Sequence, residues 1–217
     1  MPRVRHILPL VVLAAVLAHA APSPAQTIVD EWSSVKAPPP PELKPVTVDP
    51  KTTALLVMDL VKPACNNEKR PRCIASIPRI AKLIEAARGK GMMLVYTTFG
   101  TVPITDTLPE VAPKGNEPVV VSFVDKFILG DKDTGLEKML KDKGITTVIS
   151  VGTAANGAVL YTSSAAALRG FNVIVPVDGM SGDGQNTYIE QYVAYNLTSA
   201  PIITPKITLT RIDMIKF

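Results

Sequence analysis

One stretch in the second half of the chain combines the pattern of a strand, a tight turn and a helix. Apolar residues 147–151 lead into Gly-Thr-Ala-Ala-Asn-Gly at 152–157, and a helical pattern of small residues follows over 159–169. A helix that begins directly after a buried strand directs free N–H groups and the positive end of its dipole at the edge of the sheet. The stretch therefore predicts an α/β sheet that binds a ligand at the carboxyl ends of its strands.

The same alternation of apolar runs and amphipathic patterns extends from residue 52 to residue 210. Residues 52–60 are almost continuously apolar, which is typical of a strand buried on both faces of a parallel sheet. Further strands are predicted at 92–98, 118–123, 172–177 and within 202–209, and helices at 76–89, 134–143 and 187–198. The order predicts a three-layer α/β/α fold with a mostly parallel, Rossmann-like sheet of about six strands. Thr134 and Thr187, each followed by a glutamate three residues later, predict capping boxes at two of the helices.

The N-terminal residues 1–25 have the layout of a secretory signal peptide. Arg3 and Arg5 precede an apolar run over 7–17, and small residues follow through Ala25. The run is short for a transmembrane anchor, which needs about 20 apolar residues. We therefore expect export with removal of this segment, a periplasmic or secreted mature protein, and no membrane partner after cleavage.

Removal of the signal peptide limits the chemistry that is open to the mature chain. Both histidines, His6 and His19, lie in the removed segment. A Ser-His-Asp triad, a Cys-His pair and a histidine-ligated metal site are thereby excluded, and we predict neither a metal nor a cofactor. The formal charge falls from +4 to +2 because Arg3 and Arg5 leave, and the remaining basic residues are scattered. No nucleic-acid partner is therefore predicted.

Two cysteines, Cys65 and Cys73, enclose a short polar segment. In an oxidising compartment a disulfide between them is the simplest expectation. A ring of this size stabilises the fold by about 2–3 kcal/mol in the chain-entropy treatment. The alternative is a redox pair or a single nucleophilic thiol, and it lacks a histidine that would hold a thiolate.

A proline-rich arm, residues 26–50, is predicted to precede the domain at 51–217. It contains the run Ala-Pro-Pro-Pro-Pro at 37–41 and further prolines beyond it. Proline fixes φ and removes an N–H, so we expect an extended arm without helix that lies on the domain or on a partner. Trp32, the single tryptophan of the chain, is its expected anchor.

Two charged residues follow predicted strands and are candidates for chemistry. Asp59 ends the first apolar run, and Lys126 follows the third strand, so both should face the crevice at the carboxyl edge of the sheet. A carboxylate in that position must be paired or functional. Lys126 would pair with it and keep it ionised; a purely structural ion pair is the alternative. The loop 99–118, rich in glycine, threonine and proline, is predicted to form a wall of the site.

From residue 52 to residue 210 the chain resembles the isochorismatase-like hydrolases, also called cysteine hydrolases. Five pieces carry the resemblance in order: Ala-Leu-Leu-Val-Met-Asp at 54–59, Lys126 with a Thr-x-Leu-Glu helix behind it, Gly-Thr-Ala-Ala-Asn-Gly-Ala-Val at 152–159, Ala-Ala-Ala-Leu-Arg-Gly-Phe at 165–171 and Val-Ile-Val-Pro-Val-Asp at 173–178.

The resemblance implies a site in which an Asp, a Lys and a Cys act together and the cysteine attacks an amide, nitrile or related carbon. Asp59 and Lys126 take the first two roles, and the cysteine position falls on Ala158. A cis peptide bond is implied at Thr153–Ala154, with backbone N–H groups directed at an oxyanion. The residues expected to bind the substrate or oxyanion are Thr153, Ala154, Asn156 and Gly157, where Asn156 can instead cap the helix.

Because a methyl group cannot attack, the covalent mechanism is closed at Ala158, and two hypotheses remain. Isochorismatases proper also lack the cysteine and hydrolyse a vinyl ether by protonation and water attack. The chain is then a cysteine-independent hydrolase of a small molecule, with Asp59 as the acid or the water-positioning group and Lys126 on a substrate carboxylate. The alternative is a catalytically silent pseudo-enzyme or a periplasmic small-molecule-binding protein. In either case relatives of the fold imply a homo-oligomer.

The role of Asp59 as an acid depends on two opposing effects. It needs a raised pKa to donate a proton, whereas a neighbouring ammonium lowers that pKa. The hydroxyls at 161–164 are the other possible nucleophiles, but within a helix they lead away from its N-terminus.

Overall fold

The computed structural model describes residues 27–184 and 186–217, so the predicted signal peptide lies outside the described residues. The helices are α1 (Ile28–Glu31), α2 (Pro71–Gly89), α3 (Leu136–Asp142), α4 (Leu160–Leu168) and α5 (Tyr188–Ser199). The strands are β1 (Val46–Thr47), β2 (Thr53–Met58), β3 (Met93–Thr98), β4 (Val119–Val121), β5 (Ile128–Leu129), β6 (Lys132–Asp133), β7 (Thr147–Thr153), β8 (Asn172–Pro176), β9 (Met180–Ser181), β10 (Ile207–Thr210) and β11 (Ile215–Lys216).

Seven of these strands form one parallel sheet. Its order is β10-β8-β7-β2-β3-β4, and β9 pairs with the end of β7. Strand β2 pairs with β3 on one side and with β7 on the other, so the chain adds strands in opposite directions from this point. The predicted parallel α/β sheet is confirmed. The topological switch point, where sheets of this kind bind ligands, lies between the ends of β2 and β7.

Apolar layers cover both faces of the sheet. Strand β2 directs Ala54, Leu56 and Met58 into the layer built with α3, α4 and α5, and Leu55 and Val57 into the layer built with α2. Because both faces are covered, every position of the strand is buried and apolar or small. The three-layer α/β/α architecture is thereby confirmed.

The chain divides into two units, Met1–Ala37 and Pro38–Phe217. The predicted arm, residues 26–50, is therefore shared between them. In the described part of the first unit, the expectation of no helix is wrong for one turn, α1. The Asp30 carboxylate accepts hydrogen bonds from the N–H (2.8 Å) and the hydroxyl (2.9 Å) of Thr27 and so closes the turn. Trp32, the expected anchor, is exposed.

The second unit begins inside the predicted arm, at Pro38. Strand β1 pairs in parallel with β11 near the end of the chain. The N–H of Lys44 donates to the carbonyl of Leu209 (2.9 Å), and the N–H of Val48 donates to that of Lys216 (2.8 Å). This half of the arm is extended, as expected, and hydrogen-bonded along the last strands of the unit.

Helix α2 begins at Pro71, several residues before its predicted start. Proline is favoured at the first helical position because no N–H is needed there. Cys73 therefore lies in the first turn of the helix. The predicted disulfide with Cys65 is confirmed, with the two Cα atoms 5.5 Å apart. It ties the segment that follows β2 to α2.

Removing this disulfide should lower the free energy of unfolding by about 2–3 kcal/mol, because the loop-closure entropy of the unfolded chain is regained. Urea denaturation of the Cys65→Ala/Cys73→Ala variant measures the loss. Alanine is preferred to serine, since both sulfurs are buried and a hydroxyl there would need a partner. Wild-type protein under reducing conditions should show the same shift; unchanged stability in both would contradict the prediction.

Candidate active site

Asp59 directly follows β2 and lies at the switch point. Its φ of 54° is positive, a conformation that aspartate adopts more readily than most residues with a side chain. The carboxyl group is buried. Its Oδ1 accepts a hydrogen bond from the Thr97 hydroxyl (2.6 Å), and its Oδ2 accepts one from the Lys126 ammonium (2.8 Å). The predicted salt bridge between Asp59 and Lys126 is therefore confirmed.

Lys126 is 0% exposed, and its ammonium group is fully used inside the protein. Besides Asp59, Nζ donates to the carbonyls of Ser122 (3.0 Å) and Phe123 (2.6 Å). An ammonium group has three N–H donors, so none is left for a ligand. The expectation that Lys126 binds a substrate carboxylate is wrong for this arrangement, because the side chain has neither a free donor nor exposed surface.

Two threonine hydroxyls fix the backbone of Lys126. Its N–H donates to the hydroxyl oxygen of Thr162 on α4 (3.1 Å), and its carbonyl accepts from the hydroxyl of Thr134 (2.7 Å). Thr134 therefore supports the site, and the predicted capping box is wrong. The carboxylate of Glu137 pairs with Lys141 and Arg169 instead. The sequence singled out Thr134 only as a helix cap and Thr162 only among the hydroxyls at 161–164, and neither pattern indicated a contact with Lys126.

Burial dominates the ionisation of the pair. It raises the pKa of the Asp59 carboxyl above its ordinary value, against the opposing effects of Lys126 and the Thr97 hydroxyl. It also lowers the pKa of the Lys126 ammonium, against the effect of Asp59. Both directions follow from the cost of placing a charge in a site with little water. Of the two opposing effects on the pKa of Asp59, burial and the neighbouring ammonium, burial is therefore the larger, and the pKa is raised.

The turn after β7 has the backbone that the resemblance implied. The peptide bond Thr153–Ala154 is cis, and Ala155–Val159 forms a π-helical turn that leads into α4. Before it, Gly152 has a φ of 133°, and a Cβ at this position would collide with the carbonyl oxygen of Met58. Glycine is therefore required where β7 approaches the end of β2, and the turn lies beside Asp59.

The expected roles of the turn residues are only partly met. The N–H of Gly157 donates to the carbonyl of Ala154 (3.0 Å), so it is not free to bind an oxyanion. The Thr153 hydroxyl donates to the carbonyl of Ser181 (3.1 Å), which leaves only its backbone near the cavity. Asn156 is exposed, and within the described chain no side chain caps this turn or α4. The capping role predicted for Asn156 is wrong, and its role in binding a substrate or oxyanion stays a prediction.

A cavity of about 710 Å³ lies over this edge of the sheet. From the strand ends and the turn, it is lined by Asp59, Thr153, Ala154, Gly157 and Ala158. The predicted wall, loop 99–118, contributes Phe99 alone. The other walls come from the disulfide-tied segment, from the end of β4 and from Asp183. The loop prediction is therefore wrong for most of its length.

No thiol of the residues that the structure describes lines the cavity in place of the family's cysteine. Ala158 lines it, and both cysteines are joined in the disulfide. On α4, the hydroxyls of Thr162 and Ser163 are buried away from it, and Tyr161 is exposed. Among residues 27–184 and 186–217, no cluster of His, Cys, Asp or Glu side chains could hold a metal ion, and no helix has the length and apolarity to cross a membrane.

Sequence comparison identifies two relationships. A family model described as the isochorismatase domain matches residues 53–204. N-carbamoylsarcosine amidase from Arthrobacter sp. is 30% identical over 128 residues, which cover 46% of this chain and 47% of that protein. The match thus spans just under half of the length of the curated relative.

Structure comparison supports the same fold. An isochorismatase family protein from Burkholderia thailandensis has a TM-score of 0.64 and 20% identity, with 79% of this chain and 97% of that chain covered. N-carbamoylsarcosine amidase from Thermoplasma acidophilum has a TM-score of 0.59 and 22% identity, with 75% and 97% covered. Since the matched residues 53–204 make up most of the chain and contain Asp59, Lys126 and Ala158, the chain belongs to the isochorismatase family of hydrolases.

Proposed function

We propose that this protein is an exported hydrolase that cleaves a small molecule by attack of water, without a covalent cysteine intermediate. The observation that carries the proposal is the Asp59 carboxyl, which is buried, lines the cavity beside Ala158 and is held by Lys126 and Thr97. A buried ion pair carries a desolvation cost that an apolar pair of the same volume avoids. A catalytic use of Asp59 explains that cost, and export follows from the layout of residues 1–25.

In the proposed reaction, Asp59 acts as a general base toward a water molecule in the cavity. The carboxylate takes a proton from water while the water oxygen forms a bond to the carbonyl carbon of an amide or carbamoyl group. The tetrahedral intermediate then breaks its C–N bond, and the proton passes from Asp59 to the leaving nitrogen. Lys126 holds the carboxylate in place throughout. The name of the Arthrobacter relative, an N-carbamoylsarcosine amidase, supports the C–N class.

A vinyl ether is the second candidate substrate class, and the raised pKa of Asp59 favours it. The neutral carboxyl would protonate the enol carbon, and water would add to the resulting oxocarbenium ion. The hemiketal would then break its C–O bond to give a carbonyl compound and an alcohol, with one proton returned to Asp59. The two classes require Asp59 in opposite protonation states, so their pH dependence has opposite sign.

A substrate panel tests the proposal. The purified mature protein is incubated with N-carbamoyl amino acids, primary amides and vinyl ethers, and the products are followed by NMR and by ammonia release. We expect turnover of one class, with one oxygen atom from ¹⁸O-labelled water in the product and no covalent adduct in mass spectra. A covalent adduct would overturn the mechanism. Saturable ligand binding without any turnover would instead support the small-molecule-binding protein.

Replacing Ala158 with cysteine should create a reactive thiol beside Asp59. Because Asp59 can take the thiol proton, we expect alkylation by iodoacetamide at pH 7 to be about tenfold faster than for an unperturbed cysteine. Amidase activity through a covalent acyl intermediate should accompany it. The disulfide leaves no other free thiol in the protein, so the background is low.

The control for this experiment is the Ala158→Cys/Asp59→Asn variant, which should be alkylated at the unperturbed rate. A reactive thiol that forms no acyl intermediate with any amide of the panel would contradict the assignment of the cavity to this chemistry.

A further inference from the structure

The cavity has a second charged region away from Asp59. Lys69 and Arg70, on the segment that the disulfide closes, both line it. The charge of Lys126 is balanced by Asp59, and that of Arg70 is balanced by Asp183. Lys69 is exposed and adds a further positive charge at this wall. The cavity therefore suits an anionic ligand.

The guanidinium group of Arg70 is only partly paired. Its Nη1 donates to the carbonyl of Ala64 (2.7 Å), and its Nη2 lies 2.6 Å from Oδ1 of Asp183. Its Nε is buried and has no hydrogen-bond partner among the described residues. Nε and Nη2 together form the edge of a guanidinium that donates hydrogen bonds to both oxygens of a carboxylate. Asp183 occupies half of that edge.

Two other arginines of the chain show the complete pairing. Arg72 places Nε and Nη2 at 2.7 and 3.1 Å from the two oxygens of Glu190. Arg88 places the same atoms at 2.7 and 2.8 Å from the two oxygens of Glu117. The incomplete pairing at Arg70 occurs where a guanidinium borders the cavity. An unpaired buried N–H is unfavourable, so a ligand that brings a second oxygen to this edge gains free energy.

Asp183 is a weak occupant of this position. Its side chain is 67% exposed, and ion pairs with an exposed partner contribute little free energy. Burial raises the pKa of the Asp59 carboxyl, and the positive charge of Arg70 opposes part of that rise. Arg70 and Asp59 line the same cavity. A small ligand can contact both.

We propose that Arg70, assisted by Lys69, binds a carboxylate of the substrate, and that Asp183 fills this position only in the unliganded protein. The substrate class is then a small carboxylic acid whose scissile bond lies at the Asp59 and Ala158 end of the cavity. The scissile-bond part of this statement rests on the proposed function; the binding part does not.

Isothermal titration with benzoate and benzamide tests the carboxylate anchor, because the two probes share a shape and differ in charge. We expect the wild-type protein to bind benzoate about tenfold more tightly than benzamide, as a charge-assisted two-point contact requires. In Arg70→Gln this ratio should fall toward one, with only the contribution of Lys69 remaining. The matched control is Lys62→Gln, which removes an exposed positive charge just before this segment and outside the cavity, and it should leave the ratio unchanged.

Two further variants keep the test informative if Arg70→Gln folds poorly. Arg70→Lys keeps the charge without the two-point edge and should give an intermediate ratio. Asp183→Asn removes the internal competitor and should tighten benzoate binding several-fold without changing benzamide binding. Equal affinity for both probes in the wild type, an unchanged ratio in a folded Arg70→Gln variant, or weaker benzoate binding in Asp183→Asn would overturn the proposal.

The anchor and the proposed hydrolysis fail in different ways. If the wild-type protein hydrolyses no compound of the panel, but Arg70→Gln loses the preference for benzoate, the carboxylate anchor is supported and the proposed hydrolysis is contradicted. If the wild-type protein hydrolyses neutral amides as fast as carboxylate-bearing ones, and Arg70→Gln hydrolyses both at the wild-type rates, the proposed hydrolysis is supported and the carboxylate anchor is contradicted.

Discussion

Replacing Lys126 with methionine should lower the free energy of unfolding at pH 7 by about 3–5 kcal/mol, the loss typical of a buried ion pair that is broken from one side. Methionine fills a similar volume, so the loss reports the missing ammonium. Asp59 would keep only the Thr97 hydroxyl, and the carbonyls of Ser122 and Phe123 would lose their shared donor. Urea denaturation followed by circular dichroism measures the change.

The loss should depend on pH with a defined sign. Burial raises the pKa of Asp59 in the folded state above its unfolded value of 3.8, and Lys126 opposes this rise. Without Lys126 the folded-state pKa rises further. A group with a raised folded pKa contributes stability that is present below the unfolded pKa and lost as pH rises through the folded pKa. The deficit of Lys126→Met should therefore be smallest at and below pH 3.8 and grow toward neutral pH.

The double variant Asp59→Asn/Lys126→Met is the control, because it removes both charges. It should recover part of the stability that Lys126→Met loses, and the resulting double-mutant cycle gives the coupling free energy of the pair. A loss below about 1 kcal/mol at every pH would mean that the pair contributes no more to the free energy of unfolding than an exposed salt bridge does. The role assigned to the Lys126 ammonium would then be contradicted.

The sheet and the position of Asp59 and Lys126 were predictable because they depend on local patterns. The continuous apolarity of 52–60 reflects burial on both faces, and residues after parallel strands meet at one edge. The cis peptide at Thr153–Ala154 came from the family resemblance, since nothing in the composition of that turn requires it. The isochorismatase family assignment rested on the same ordered motifs.

The helix caps were not predictable, because local and distant partners compete for the same side chain. Thr187 and Glu190 match a capping box, yet no side-chain bond caps α5 at Thr187. The Glu190 carboxylate instead accepts from Arg72, 118 residues away in the chain, and from the N–H of Gly182. A tetrapeptide pattern carries no information about such a partner, and a two-point pair with arginine is the stronger interaction.

The sequence also did not show which positive side chains at the cavity already have their hydrogen-bond donors in use. Lys126 was expected to bind a substrate carboxylate, but backbone carbonyls of Ser122 and Phe123 complete its hydrogen bonds. Because every residue has a backbone carbonyl, no pattern of side chains predicts that the three N–H donors of Lys126 are all in use. The positive side chains that line the cavity, Lys69 and Arg70, lie in a segment that the sequence identified only by its cysteines.

Replacing Asp59 with asparagine should reduce kcat by about 10²–10⁴-fold, the contribution of a positioned general acid or base. Asparagine keeps an oxygen for the Lys126 ammonium and an amide that can donate to Thr97, so the fold and the affinity for an unreactive ligand should persist. Steady-state kinetics on the substrate identified by the panel, together with titration of benzoate, separate the two effects. A purely structural ion pair would show an unchanged kcat, whatever the change in stability.

The pH profile of kcat then assigns the protonation state of Asp59. As a base toward water, Asp59 acts when ionised, so activity should rise with pH through its raised pKa; as an acid toward a vinyl ether, activity should fall over the same range. For the C–N class we expect the rising profile. Thr97→Val removes a hydrogen bond that lowers the pKa of Asp59, so it should move the rise of kcat to higher pH without abolishing activity. In Asp59→Asn the residual kcat should no longer depend on pH over this range. If the same pH dependence persists in Asp59→Asn, the titrating group is another residue and Asp59 does not take part in the reaction.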